Sequence, residues 1–361
     1  VRSRIKLPDE LGITGVLLLV VLVMSFISVN FRSTGNLTVL LENGVVVAFL
    51  ALGQTFVLLT GGIDLSVGSN IALTGMLAAM AMAAGAPWWL ACLVAIAAGV
   101  LVGVFNGVVV HYVKLPPFIV TFATYGITAS IPKILTNAQS VNVADPMFAV
   151  IGRGTLAGIP TPVILLVLAL LIFMFVLHRT PYGVHLYAVG GNAETARLAG
   201  VNIARVTISA YVVSGVCAAF GGLITTSRLM VGYPSAGSGN EQFYSIASAV
   251  VGGVSLFGGT GTILGAFIGA ILIATVSNGM NVLGVPSFWQ PLVIGVIILL
   301  GVVLDGYRRS AAAKATGLRR VRRQRDQGPG ASYGPGDPAS EPAADPAGVP
   351  GGAVAPTSNP S

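Results

Sequence analysis

Apolar runs of about 20 residues, parted by short polar interruptions, recur along the chain as far as residue 307. At about 1.5 Å per helical residue, such a run matches the roughly 30 Å hydrocarbon core of a bilayer. Runs near 11–30, 39–60, 66–85, 88–112, 118–135, 161–178, 206–226, 244–259, 263–283 and 290–304 predict ten membrane-crossing helices. The run near 244–259 is short and glycine-rich, so nine or eleven crossings are the alternatives. The fold class that follows is an all-α polytopic membrane protein of about ten transmembrane helices, with broken or re-entrant segments.

Between the second and third runs stands Gly61-Gly62-Ile63-Asp64-Leu65-Ser66-Val67-Gly68. It places an ionisable side chain in a helix-breaking turn at membrane depth, where irregular backbone survives only against protein or a water-filled cavity. Asp64, Ser66 and Asn70, with Asn106 and Asn278, are therefore candidates for lining or gating a substrate pathway. Asp64 could equally cap a helix beginning near Ser66, and an asparagine before glycine could close a helix end. A weak internal repeat accompanies the break. Gly252-Gly253-Val254-Ser255-Leu256-Phe257 echoes the octet, and Asn278-Gly279 echoes Asn106-Gly107. Glycines at every fourth position (99, 103, 107 and 261, 265, 269) predict flat faces where helix backbones approach closely.

Composition agrees with the pattern: 54% of residues are hydrophobic and 9% charged, against about 25% charged in ordinary soluble domains. With ten spans and the N-terminus inside, fifteen of the nineteen Lys and Arg fall on the cytoplasmic side, as the positive-inside rule expects, so both termini are expected there. The start, Val1-Arg2-Ser3-Arg4-Ile5-Lys6, has the charge order of a signal peptide but lacks a small-residue cleavage site, and reads as leading into an uncleaved first span. The domain division is 1–307, a transmembrane permease domain, and 308–361, a basic juxtamembrane segment (Arg308 to Arg325) followed by a Gly-, Pro-, Ala- and Ser-rich stretch that reads as a disordered cytoplasmic tail.

Missing chemistry narrows the function. None of the four lysines follows a glycine, so there is no phosphate-cradling loop with its lysine. His111, His178 and His185 lack ligand partners at metal spacing, and Cys92 and Cys217 sit in separate apolar runs. No catalytic or metal site is expected, the chain is not expected to be an enzyme, and energy for transport must come from elsewhere. One loop stands out. In the segment 180–201, Asn192 can cap a short helix, Glu194 suits its positive end, Arg197 follows three residues on, and Gly200 supplies the left-handed stop. So short a helix is marginal alone, which predicts docking by a partner, with an ordinary capped interfacial turn as the alternative.

Several of these motifs occur together in one family's order: Gly53-Gln54-Thr55-Phe56 leading to the Gly61–Gly68 octet, Asn106-Gly107 before Pro116-Pro117-Phe118, Tyr187-Ala188-Val189-Gly190-Gly191-Asn192 with Ala196-Arg197-Leu198-Ala199-Gly200, and Gly252 to Gly259. Across about residues 40–305 the chain resembles the ribose/galactoside/arabinose-type permeases of ATP-binding-cassette (ABC) sugar importers. The resemblance implies a multi-pass permease of the bacterial inner membrane that passes a monosaccharide or small polyol. It implies as partners a second permease copy or paralogue, an extracytoplasmic sugar-binding protein, and a cytoplasmic ATPase with two fused nucleotide-binding halves. ATP and Mg would be bound by that ATPase, with no cofactor in this chain. Asn192, Glu194, Arg197 and Gly200 match the coupling helix that enters the ATPase. The chain departs from the family pattern at Ala129-Ser130, where an Arg-Gly pair is usual, and at Gln242-Phe243, where Glu-Leu is common. Alternatives are a branched-chain amino-acid-type ABC permease and an ion-coupled secondary transporter.

Overall fold

The structure, a computed structural model, describes residues 10–303 and 305–307; the tail reading of 308–361 lies outside them. Among the described residues, eight helices are long and apolar enough to cross a bilayer: α1 (Glu10–Ile27), α2 (Thr34–Leu59), α4 (Trp88–Val108, continuing as a wider π turn to Val113), α5 (Pro117–Thr136), α7 (Thr161–Arg179), α10 (Ile203–Leu229), α12 (Ile263–Val282) and α13 (Trp289–Tyr307). Shorter helices stand between them. These are α3 (Val67–Ala83), α6 (Pro146–Arg153), α8 (Pro181–Gly191), α9 (Ala193–Leu198) and α11 (Glu241–Val251).

Two of the ten expected crossings are thereby corrected in length. α3 has 17 residues, about 25 Å of helix, and α11 has only 11, about 16 Å. The span expected near 244–259 stops at Val251 because Gly252-Gly253 turns the chain, with Gly253 at φ 90°, and the next eleven residues are not helical. Glycines 258, 259 and 261 all have positive φ, a conformation other residues adopt only with strain.

α10 is the central post. It packs along α2, α3 and α4, and buries Ala210, Tyr211, Ser214, Cys217, Ala218 and Ser227. The stripe predicted on α4 explains how closely it approaches. A β-carbon at Gly99 would strike the Gly215 carbonyl, and at Gly103 the Tyr211 carbonyl. Among apolar helices in lipid, such small-residue contact replaces the hydrophobic drive of water. In the second stripe Gly265 and Gly269 meet the Gly252 and Ser248 carbonyls, but Gly261 falls in the turn before α12. α1 and α13 lie at the periphery, with Leu18, Leu19, Leu22, Leu299 and Leu300 exposed, as lipid-facing helices would be.

Among the described residues, β-strand is confined to two small ladders. β1 (Val141–Asn142) pairs antiparallel with β4 (Val231–Gly232), and β2 (Thr155–Leu156) with β3 (Ile159–Pro160) across a turn at Ala157 and Gly158, both at positive φ. Asp145 caps α6 through the N–H groups of Met147 and Phe148. Ser227 then donates to the Phe148 carbonyl at 2.5 Å and accepts from the Gly152 N–H, pinning α6 to the far end of α10.

Candidate functional site

The break after α2 is a glycine-closed helix end. Gly61 N–H bonds the Leu58 carbonyl at 2.8 Å and Gly62 N–H the Val57 carbonyl at 3.1 Å, with Gly61 at φ 80°; this paired closure satisfies the last carbonyls of a helix. The chain then runs without regular secondary structure to Asp64. Its peptide groups are held by Gln54, whose amide, oriented from the hydrogen-bond network, donates to Asp64 O and accepts from Asp64 N, each at 3.1 Å.

The Asp64 carboxylate ties four helices together. Oδ1 accepts from Ser66 N–H at 2.9 Å and Ser66 Oγ at 2.6 Å, turning the chain into α3, while Oδ2 accepts from Ser214 Oγ of α10 at 2.8 Å. Ser66 Oγ in turn accepts from Asn106 Nδ2 of α4 at 2.9 Å, and Asn106 Oδ1 accepts from Thr124 Oγ1 of α5 at 2.6 Å. Asp64, Ser66 and Asn106 are each at most 1% exposed. The carboxylate's own partners are two hydroxyls and an N–H group, and Ser66 carries the network on to the Asn106 amide; a buried carboxylate requires such donors. Three of the five pathway candidates thus meet in one buried network, in which Asp64 holds the turn at Ser66, the N-cap of α3.

The other two stand apart. Asn278 on α12 forms a reciprocal amide pair with Asn36 on α2, both bonds 3.0 Å. It lines a cavity of about 240 Å³ between α2, α10, α11 and α12, together with Asn43, Arg228, Glu241 and Asn281. Asn70, on α3, is buried with neither amide atom bonded, and Gln242 Oε1 on α11 is buried and unbonded as well.

At the opposite end of α10 from this cavity lies the loop expected to carry a coupling helix. Asn192 Oδ1 accepts from Thr195 N–H at 2.9 Å, Gly200 at φ 85° closes the end, and Arg197 grips Glu194 with Nε at 3.2 Å and Nη2 at 2.5 Å. That hydrogen bonding, then the positive charge of Arg197, holds the Glu194 carboxyl below its usual range. The pair is fully exposed, as is Leu198, while Ala196 is buried. The sequence reading missed α8, which carries α9; the signal was Pro181, a favoured first helical residue.

The end of α8 is wedged into both helix breaks. A β-carbon at Gly190 would overlap the Leu59 carbonyl and the Gly259 N–H, and Gly259 N–H itself bonds Leu59 O at 3.0 Å. Tyr187 Oη donates to the Gly261 carbonyl at 2.8 Å. Three glycine pairs distant in sequence (61-62, 190-191 and 258-259) therefore meet backbone against backbone. The two echoing motifs of the internal repeat touch there.

Comparison with known proteins places this arrangement. No solved structure matches the chain. The model of a family described as the permease component of the branched-chain amino acid transport system matches residues 36–302. The ribose import permease protein RbsC of Bacillus subtilis is 39% identical over 302 residues, covering 83% of this chain and 92% of its own. A probable ABC transporter permease of Sinorhizobium fredii is 38% identical (83% and 90%), and the D-allose transport system permease protein AlsC of Escherichia coli 36% (82% and 91%). On that coverage, the chain belongs to the family of ABC-importer membrane permeases that includes the ribose and allose permeases.

Proposed function

We propose that the chain is the transmembrane subunit of an ATP-driven importer that passes a monosaccharide or related small polyol from an extracytoplasmic binding protein to the cytosol. The observation that carries this reading is the route from exposed α9 through α8 into both helix breaks: a single residue, Asn192, joins α9 to α8, whose Gly190 abuts the Leu59 carbonyl and the Gly259 N–H. The ribose and allose permeases among the relatives support sugar over a branched-chain amino acid as cargo. ATP and Mg²⁺ belong to the ATPase partner, with its two fused nucleotide-binding halves, and a second permease copy or paralogue completes the passage. In this reading α8, α9 and both termini face the cytosol of a bacterial inner membrane, and the cavity beside Asn278 faces outward.

The pathway residues divide by task. Asn278 lines the outer passage, whereas Asp64, Ser66 and Asn106 gate it by fixing the break. The Asn70 amide and Gln242 Oε1, buried and unbonded, gain partners when α11 shifts against α3; a buried polar atom left unbonded in one state favours a state that bonds it.

Arg197 is the expected anchor for an acidic groove on the ATPase, because its forked guanidinium is exposed and held outward by Glu194. Arg197→Glu should insert normally yet lose about ten-fold or more of the ATPase on co-purification, the size of one lost charge-assisted contact, with hydrolysis no longer coupled to uptake. If that variant and the double Glu194→Ala, Arg197→Ala variant both keep association and coupling, the contact lies elsewhere, and Lys114 to Pro117 is the next loop to test.

A further inference from the structure

The outer cavity holds two opposite charges that do not satisfy each other. Arg228, in the last turn of α10, and Glu241, in the first turn of α11, both line it, yet the one ion pair among the described residues is Glu194–Arg197. Arg228 Nη1 donates to Asn43 Oδ1 at 2.9 Å, and Glu241 Oε2 is buried with no partner. Leaving a carboxylate oxygen buried and unbonded is costly unless something else fills the site in use. The carboxamides of Asn43, Asn278 and Asn281 share the same cavity, and Ile71 and Ile273 supply an apolar wall.

We propose that this cavity is a sugar-binding subsite of the permease itself, in which Glu241 accepts from one ligand hydroxyl and Arg228 donates to another. A hydroxyl both donates and accepts, so a neutral polyol can bridge carboxylate and guanidinium and also use the carboxamides, each of which does the same. The apolar wall suits the C–H face of a sugar ring. A zwitterionic amino acid could also span the two charges, its ammonium at Glu241 and its carboxylate at Arg228. The carboxamide-rich lining favours the polyol, whose hydroxyls each donate and accept as carboxamides do, whereas an amino acid's ammonium only donates and its carboxylate only accepts. The subsite holds the sugar after release from the binding protein and before the break opens, and so contributes selectivity in the membrane. This inference rests on the sugar-importer reading.

The test uses the full chain in lipid nanodiscs, without binding protein or ATPase, titrated with D-ribose, D-allose, D-xylose and D-galactose and separately with L-leucine, following thermal unfolding. At least one monosaccharide should raise the melting temperature saturably, with the half-point weakened about ten-fold or more in Glu241→Gln and Arg228→Gln, as loss of a charge-assisted hydrogen bond predicts. Asn278→Cys gives a second measurement that requires neither charged residue to be altered: the same sugar should slow its labelling by a membrane-impermeant thiol reagent. No stabilisation by any of the four sugars, or stabilisation equal in the parent and both variants, overturns the subsite. Uptake of the same panel by cells expressing the full importer separates the two failures: sugar uptake with no binding here removes the subsite alone, whereas stabilisation and uptake by L-leucine in place of sugar removes the importer reading with it.

Discussion

Asp64→Ala should remove most folded permease from the membrane and with it uptake, while Asp64→Asn should keep both near the parent level. The alanine loses every bond the carboxylate accepts: Ser66 N–H, Ser66 Oγ and Ser214 Oγ. Each buried donor left unpaired costs about 1–3 kcal/mol, and three together approach the whole stability of many domains, about 5–15 kcal/mol. An asparagine keeps Oδ1 for the two Ser66 donors and sets its NH₂ against Ser214, whose hydroxyl can turn to accept. The measurements are monodisperse yield after detergent extraction and uptake per folded molecule. Parent-level yield and uptake in Asp64→Ala would remove Asp64 from any essential role. Folded but inactive Asp64→Asn would show that the negative charge itself is used in transport.

The second large effect is a contrast between adjacent glycines. Gly190→Ala places a methyl group on the Leu59 carbonyl and the Gly259 N–H, both backbone, so α8 must lift from the two breaks. Overpacking of that kind costs about 1–3 kcal/mol or more, and here it falls on the junction that carries motion from α9. Gly191→Ala meets nothing within 4 Å of its added methyl and should be neutral. Gly190→Ala is expected to lose uptake and lower the melting temperature, with ATPase binding retained through the exposed face of α9. Equal behaviour of the two variants would mean that α8 is not held at this junction in the membrane.

Much of the scaffold was legible because hydropathy and length say directly which segments suit lipid. Where the sequence misled, glycine was the reason: Gly252 to Gly261 kept a run apolar while ending its helix eight residues early. The break at Gly61 and Asp64 was visible as a charge among apolar residues. Its partners were not, since Gln54, Thr124 and Ser214 are each one of several polar residues scattered along apolar helices, and only the packing of α10 against α2, α3 and α4 brings Ser214 to a carboxylate 150 positions away. The cavity was illegible for the same reason. Arg228 and Glu241 flank a loop thirteen residues apart and read as ordinary external charges, whereas the fold turns both into a space shared with α2 and α12.

The capped helix α9 carries the one ion pair among the described residues, fully in solvent, whereas the body is knit by hydroxyls, carboxamides and glycine contacts. Ionic strength therefore acts on the two very differently. Added salt shortens the reach of exposed charge, from about 8 Å at physiological strength to about 3 Å at 1 M, and does little to neutral bonds sealed from water. A wash in concentrated potassium chloride should strip a partner bound through Arg197 and leave the permease's own melting temperature unmoved, so that subunit dissociation and unfolding become separately measurable in one preparation.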